Sequence, residues 1–180
     1  MRIISGKFKG RSVKIPKNLP IRPTTNLAKE SIFNIISNKI DFNSLKVLDL
    51  FTGSGMIGLE FISRGSDVTF VENNIKCVKH ISNTLNILSL NSKIIKMDVF
   101  KYLLNCEEKY DLIFADPPYS LEIKNYEKLI NLTTDNTLKN SKGLFILEHY
   151  MKNDFSQHDN FFEMRSYGDC SFTFFKQKSG

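Results

Sequence analysis

From residue 46 onward the chain alternates short apolar runs with helix-periodic stretches, and this alternation restricts the fold more than any other feature. Residues 46–50, 67–72, 93–97, 110–115 and 143–148 are runs of strand length. Residues 56–64, 74–88, 99–106 and a stretch within 122–132 separate them and carry apolar side chains at helical spacing, as in Ile75, Val78, Ile81, Leu85 and Leu88. Strands joined by helical crossovers run parallel, so the expected class is α/β, a mostly parallel sheet with helices on both faces. The end of the chain changes character. Residues 160–165 and 171–176 are Phe-rich and lie on either side of Tyr167-Gly168-Asp169, which predicts an antiparallel hairpin at one edge of the sheet.

Two segments precede the alternation. Ala28, Ile32, Ile35, Ile36 and Ile40 repeat on one face of a helix expected to start after Thr24 or Thr25, because Pro23 keeps Arg22 out of the helical region. Residues 1–22 mix short apolar pieces with Gly6, Gly10, Pro16 and Pro20, a pattern of one or two short strands with turns. This arm holds Arg2, Lys7, Lys9, Arg11, Lys14, Lys17 and Arg22 and no acid. The chain's net charge is +6, yet the other 158 residues carry 18 of the 25 cations against all 19 acids. The excess charge therefore sits in the arm. Clustered cations interleaved with Gly and Phe8 suit phosphate contacts, whereas the same charges on a solvated tail only add solubility. With 180 residues, 41% hydrophobic and 24% charged, the expectation is one domain over 1–180, made of the arm (1–22), a leading helix (23–40) and a core (41–180).

Cys77, Cys106 and Cys170 are far apart in sequence and odd in number, which fits a reducing compartment and neither a disulfide framework nor a zinc site. No apolar signal core follows the basic N-terminus, and no apolar run approaches the ~20 residues that span a membrane. A cytoplasmic protein with no membrane partner, expected to be a monomer, follows. His80, His149 and His158 stand in no triad or metal pattern.

Four places carry chemistry. Asp49-Leu-Phe-Thr-Gly-Ser-Gly-Met-Ile-Gly58 follows a strand and opens a helix, where ligands bind in open α/β sheets. Gly53, Gly55 and Gly58 match GxGxxG, although a tight turn with a packing glycine has the same spelling. Glu72 ends the next strand, where a carboxylate can accept the ribose hydroxyls of an adenosine cofactor. Asp98 ends the third strand and suits either the amine of adenine or the cap of the following helix. Asp116-Pro117-Pro118-Tyr119 ends the fourth strand. Two prolines remove backbone donors, leaving the carboxylate and nearby carbonyls as acceptors beside an aromatic plate, an arrangement suited to a planar base bearing an amino group.

In these residues the chain resembles the S-adenosylmethionine-dependent amino-methyltransferases, and more closely the RsmD family. The match rests on Arg2-Ile-Ile-Ser-Gly-Lys-Phe-Lys-Gly-Arg11, Arg22-Pro-Thr-Thr25, Glu30-Ser-Ile-Phe-Asn34, Leu48-Asp-Leu-Phe-Thr-Gly-Ser-Gly55, Ser63-Arg-Gly65 and the Asp116 motif. It covers residues 2–120 well and is looser beyond. Thr52, Met56 and Asn26 depart from the residues most frequent there, and none removes a chemical group. The resemblance implies a Rossmann-like class I methyltransferase fold. It also implies an enzyme that uses S-adenosyl-L-methionine to methylate the N2 amine of a guanine in 16S rRNA, of the guanine 966 type, within a small ribosomal subunit or assembly intermediate. In that family Asp49, Phe51, Thr52, Gly53, Ser54 and Gly55 line the methionine and ribose side of the cofactor. Glu72 and Asn73 take the ribose, Asp98 and Val99 the adenine, and Arg22, Thr24 and Thr25 close the pocket.

The resemblance gives Asp116, Pro117, Pro118 and Tyr119 the catalytic work. Asp116 and the Pro117 carbonyl would accept the two N–H bonds of the amine, pulling nitrogen toward tetrahedral geometry, while Tyr119 stacks on the base. Three other activities compete: an N6-adenine methyltransferase using the same motif, an NAD-dependent oxidoreductase built on GxGxxG, and a non-catalytic ribosome-assembly module that binds RNA.

Overall fold

The computed structural model describes residues 1–21, 26–140 and 142–177, with the backbone alone for 26–28. Its elements are α1 (Asn26–Ser37), β1 (Lys46–Leu50), α2 (Met56–Ser63), β2 (Asp67–Glu72), α3 (Ile75–Ile87), β3 (Lys93–Lys96), α4 (Val99–Asn105), β4 (Leu112–Ala115), α5 (Ile123–Asn136), β5 (Leu144–Tyr150), β6 (Phe161–Tyr167) and β7 (Cys170–Phe175). The described strands form one sheet in the order β3-β2-β1-β4-β5-β7-β6. β1 to β5 pair in parallel, and β7 inserts antiparallel between β5 and β6. The α/β class and the terminal hairpin are both as expected.

Alternate residues of each strand feed opposite cores, because successive side chains point to opposite faces. Val47, Phe70, Phe114, Ile146 and Phe172 pack with Ile32 and Phe33 of α1, Met56 of α2 and Ile81 of α3. Leu48, Val71, Ile113 and Phe145 pack with Leu103 of α4 and with Leu129 and Ile130 of α5. Chain order runs outward from β1 in both directions, so the crevice opens above the C-terminal ends of β1 and β4.

Several boundaries differ from the sequence expectation by one or more residues, among them β4, which starts at Leu112, and the leading helix, which ends at Ser37. α5 continues past residue 132 because Thr133 and Thr134 are buried and return their hydroxyls to the Leu129 and Ile130 carbonyls, so a polar stretch stays helical. β5 runs on to Tyr150, since His149 is buried with its ring nitrogens on the Tyr150 carbonyl and the Thr173 hydroxyl. The hairpin turn narrows to Gly168 and Asp169, with Gly168 at φ 59°. The expected capping of α1 by Thr24 or Thr25, with Arg22 and Pro23 ahead of it, lies outside the described residues.

The arm pairs briefly, as expected: Arg2 and Ser12 form an antiparallel bridge, with the Ile3 N–H donating to the Arg11 carbonyl (3.0 Å) and the Val13 N–H to the Met1 carbonyl (2.8 Å). Its backbone also docks on α2. The Ile4 N–H donates to Glu60 Oε1 (2.8 Å), and the Lys7 and Phe8 N–H groups donate to the Ser63 carbonyl and hydroxyl (2.6 and 3.0 Å). Gly6, at φ 82°, passes so close that a Cβ would lie 1.8 Å from the Ser63 carbonyl oxygen. Ile3, Val13 and Leu19 are buried, so the arm is part of the packed body and not a solvated tail. Beneath it Lys29 and Glu60 form a fully buried ion pair at 3.0 Å, with the Lys29 ammonium also donating to the Arg2 carbonyl (2.8 Å). Arg64 engages the other Glu60 oxygen.

Candidate active site

Above β1 and β4 lies a cavity of about 970 Å³. The loop after β1 contributes Phe51, Thr52, Gly53 and Ser54 beside Asp49; β2 ends in Glu72 and Asn73; β4 delivers Asp116, Pro117, Pro118 and Tyr119. Thus eleven of the residues singled out from sequence line one space. The turn that gathers them depends on unusual backbone. Gly55 opens α2 at φ 78°, and Phe51, with a full side chain, sits at φ 55°. Such a conformation persists only where surrounding structure enforces it, and it clusters at functional sites.

Asp49 is the anchor of this loop. Its Oδ2 accepts the Gly58 N–H (3.0 Å), and a Cβ on Gly58 would fall 2.1 Å from Phe70 Cε1 and 2.8 Å from that carboxylate oxygen. The third glycine therefore serves close packing of α2 on β2 and on Asp49. Burial pushes the Asp49 carboxyl well above its ordinary range; the Gly58 N–H pulls it back, and the charges of Asp116 and Glu72 raise it further. One N–H of the first turn of α2, that of Gly58, is thus already given to a carboxylate.

Glu72 is held at both oxygens, Oε2 by the Gly53 N–H and Oε1 by the Asn74 N–H, each at 2.8 Å. Each oxygen keeps a second lone pair for a ligand hydroxyl. Thr52 spends its hydroxyl on the Asp49 and Val71 carbonyls (2.7 and 3.3 Å), so it braces the loop. Pro117 is buried and Pro118 exposed, and the Pro118 carbonyl accepts the Leu121 N–H (2.9 Å). The Tyr119 ring is half-buried and packs against Tyr150 at 5.6 Å between centroids. Behind them Tyr126 is fully buried, and its hydroxyl has no hydrogen-bond partner among the described residues. Burial, with the charge of Asp116, pushes that phenol up to about 12.

Three expected cofactor residues, Gly55, Asp98 and Val99, are not part of the cavity lining. Asp98 caps α4, accepting the Lys101 N–H at 3.0 Å, and Val99 is buried in the core of α4 and α5; neither lines the cavity. The cap, one of the two functions its sequence position allowed, uses one oxygen of the Asp98 carboxylate. Thr25 and Arg22 lie outside the described residues. Arg2, Lys7, Lys9, Arg11, Lys14 and Lys17 are all exposed. Arg2 and Lys14 flank a shallow groove that shares Met1 and Ile21 with the cavity.

Sequence reasoning did not find Met1, Pro20, Ile21 and Lys29, which wall the cavity from the arm side, or Ile75, Cys77 and Lys96, which bound it near α3 and β3. No motif marks them. Their positions follow only from the docking of the arm and the order of the strands. Among the described residues no group of His, Cys, Asp and Glu could hold a metal ion, and no helix is long and apolar enough to cross a membrane.

Known proteins share this architecture. Residues 1–176 match the family described as conserved hypothetical protein 95. The ribosomal RNA small subunit methyltransferase D of Buchnera aphidicola subsp. Baizongia pistaciae is 34% identical over 148 residues, spanning 81% of this chain and 74% of its own. The protein of that name in Escherichia coli K12 is 29% identical over 155 residues, 85% of this chain and 76% of its own. Among solved structures, the 16S rRNA N2 G1207 methyltransferase of Thermus thermophilus, in complex with AdoMet and guanosine, superposes with a TM-score of 0.72 at 18% identity, covering 86% of this chain and 44% of its own.

Proposed function

The chain belongs to the conserved hypothetical protein 95 family, the RsmD family, and from that premise we propose that it is an S-adenosylmethionine-dependent methyltransferase that modifies the N2 amine of a guanine in 16S rRNA, of the guanine 966 type. The observation that carries the proposal is the meeting of Asp49, Glu72 and Asp116-Pro-Pro-Tyr119 in one cavity.

The cavity suits this cofactor. About 970 Å³ is at the upper end of ligand sites and leaves room for a nucleoside beside a planar base. Three carboxylates, Asp49, Glu72 and Asp116, line it, and of the two lining lysines Lys29 is already paired with Glu60. This balance favours a ligand bearing a sulfonium and an ammonium over a dinucleotide bearing a pyrophosphate. Glu72 would take the ribose hydroxyls, and Asp49 with the Gly53 loop the methionine end. Bound there, S-adenosylmethionine supplies a methyl group already activated by its positive sulfur.

The remaining work falls to the chain. An aromatic amine is a poor nucleophile because its lone pair is delocalised into the ring. Asp116 and the Pro117 carbonyl accept its two N–H bonds and draw the nitrogen toward tetrahedral geometry, with the lone pair aimed into the cavity. These acceptors are fixed before the reaction and stabilise positive charge as it develops on nitrogen. Tyr119 holds the ring in plane, an interaction worth about 1–3 kcal/mol. A base inside folded rRNA must leave its stack to enter. The exposed cations of the arm, Arg2, Lys7, Lys9, Arg11, Lys14 and Lys17, hold the flanking phosphates. In this reading residues 1–180 act as one unit, because Met1, Pro20 and Ile21 of the arm complete the wall of the cavity.

The test is methyl transfer from labelled cofactor to small-subunit rRNA and to assembling particles, followed by nucleoside analysis and mapping. N2-methylguanosine at a single position is expected. N6-methyladenosine would reassign the base, and absence of transfer to either substrate would overturn the proposal. Asp116→Ala should lower kcat by about 10²–10³-fold, the loss typical of one pre-placed polar group, with cofactor affinity nearly intact. Equal losses in kcat and cofactor binding would remove its role on the acceptor.

A further inference from the structure

Beyond the cavity, an aromatic and cationic track leads away from Tyr119 along the same edge of the sheet. Tyr150 ends β5. Its ring stands 5.6 Å from that of Tyr119, tilted by 37°, and is half-buried. The exposed Lys152 places its ammonium 5.6 Å from the centroid of the Tyr150 ring. The backbone between them is fixed, since the Met151 N–H donates to the Asp169 carbonyl (3.0 Å) at the tip of the β6–β7 hairpin. Tyr150 itself pairs with Cys170 at the start of β7. The two side chains are thus carried on a sheet edge and a tied turn.

The ring of Tyr119 suits the acceptor base. The second ring is outside the cavity lining and beside the first, with the Lys152 ammonium next to it, so the nucleotide joined to the acceptor base would meet an aromatic ring and a cation there. We propose that Tyr150 and Lys152 form a subsite for the nucleotide adjoining the target guanine in the RNA chain, Tyr150 by stacking and Lys152 by its charge. The inference rests on the assignment of an rRNA substrate above and extends it to the neighbour. Every base has a π-face, so this stacking steadies the chain around an everted base without reading its sequence. The arm cannot supply it. Its charged side chains position phosphates, whereas the only aromatic residue in the arm, Phe8, lies on α2 under Lys7. Tyr150 is a positioning residue and has no part in the methyl-transfer step.

The experiment uses the full chain and an rRNA fragment containing the target guanine, with an abasic nucleotide placed at either neighbour in turn. Tyr150→Ala should raise KM for the RNA about tenfold and leave kcat and cofactor affinity within about twofold. Tyr150→Phe should behave as wild type, because stacking needs the ring and not the hydroxyl. One of the two abasic substrates should raise KM for the wild type to the same extent, and Tyr150→Ala should then add nothing. Lys152→Ala should reduce the slope of log KM against log salt by about 1. An unchanged KM in Tyr150→Ala overturns the subsite. So does a fall in kcat at constant KM, which would mean that Tyr150 only props Tyr119, and so do fully additive effects with both abasic substrates. If the wild type fails to methylate the intact fragment and the small-subunit particles, the rRNA assignment itself fails, a result separable from the others.

Discussion

Asp49 occupies a position that folding alone would not choose for a carboxylate. Burial opposes its charge, and Asp116 and Glu72 add to the opposition, while the Gly58 N–H relieves it. A carboxyl whose folded pKa is raised favours the fold most when protonated. That contribution is complete below the ordinary value of 3.8 and is lost as pH rises through the raised folded value. Asp49→Asn keeps an acceptor for Gly58 and removes the charge. It should therefore melt at a higher temperature than wild type at pH 7, with the gap closing as pH falls through the raised folded value and gone below about 3.8, while its affinity for S-adenosylmethionine drops. Thermal melts across that range, with cofactor titration at pH 7, check both halves. An Asn variant less stable than wild type at pH 7 would show that the ionised side chain is satisfied. The trade follows from placing a binding charge where the fold resists one.

At the scale of elements, the sheet was legible because its signals are local and repeated. Strand runs and helical periods predict β1 to β5 and their helices, and the Phe-rich ends predict the hairpin. What failed depended on distant partners. Thr133 and Thr134 look like a loop until the buried face of α5 is known, and the short antiparallel pairing of the arm gives no sign that the Ile4, Lys7 and Phe8 N–H groups reach Glu60 and Ser63 on α2. The site divides along the same line. Residues carried at strand ends could be read from sequence, whereas Met1 and Ile21 reach the cavity only through docking of the arm and Lys29 through the packing of α1. The Lys29–Glu60 pair holds that dock from within. Lys29→Met leaves a buried carboxylate with Arg64 and the Ile4 N–H as its only partners among the described residues, and removal of one partner of such a pair typically costs about 3–5 kcal/mol. Urea unfolding should show a loss of that order together with weaker cofactor binding. Replacing Glu60 with Met as well should recover much of the stability, since two apolar side chains replace the pair. A single variant that unfolds like wild type would mean that the arm is held by its apolar packing alone.

Over the whole molecule, the net charge of +6 conceals two opposed fields. Six described cations of the arm face solvent, and the cavity beside them is lined by Asp49, Glu72 and Asp116. A polyanion drawn to the outside is repelled from the inside, so phosphates are held at the rim and only an uncharged base with donor groups gains by entering. The separation also determines how it can be tested. Deleting the arm is uninformative, because Ile3, Val13 and Leu19 belong to the core and Met1, Pro20 and Ile21 to the cavity wall. Lys7 and Lys9 are better targets: both are exposed, and Lys7 secures the arm through its backbone N–H to Ser63, which substitution leaves in place. Lys7→Ala with Lys9→Ala should preserve the fold and the affinity for S-adenosylmethionine. RNA binding should weaken at low salt, and the slope of log affinity against log salt should flatten by about 0.7–0.9 for each phosphate that is no longer neutralised. An unchanged slope would assign these cations to solubility and move the phosphate track to Arg2 and Lys14, which border the groove that joins the cavity.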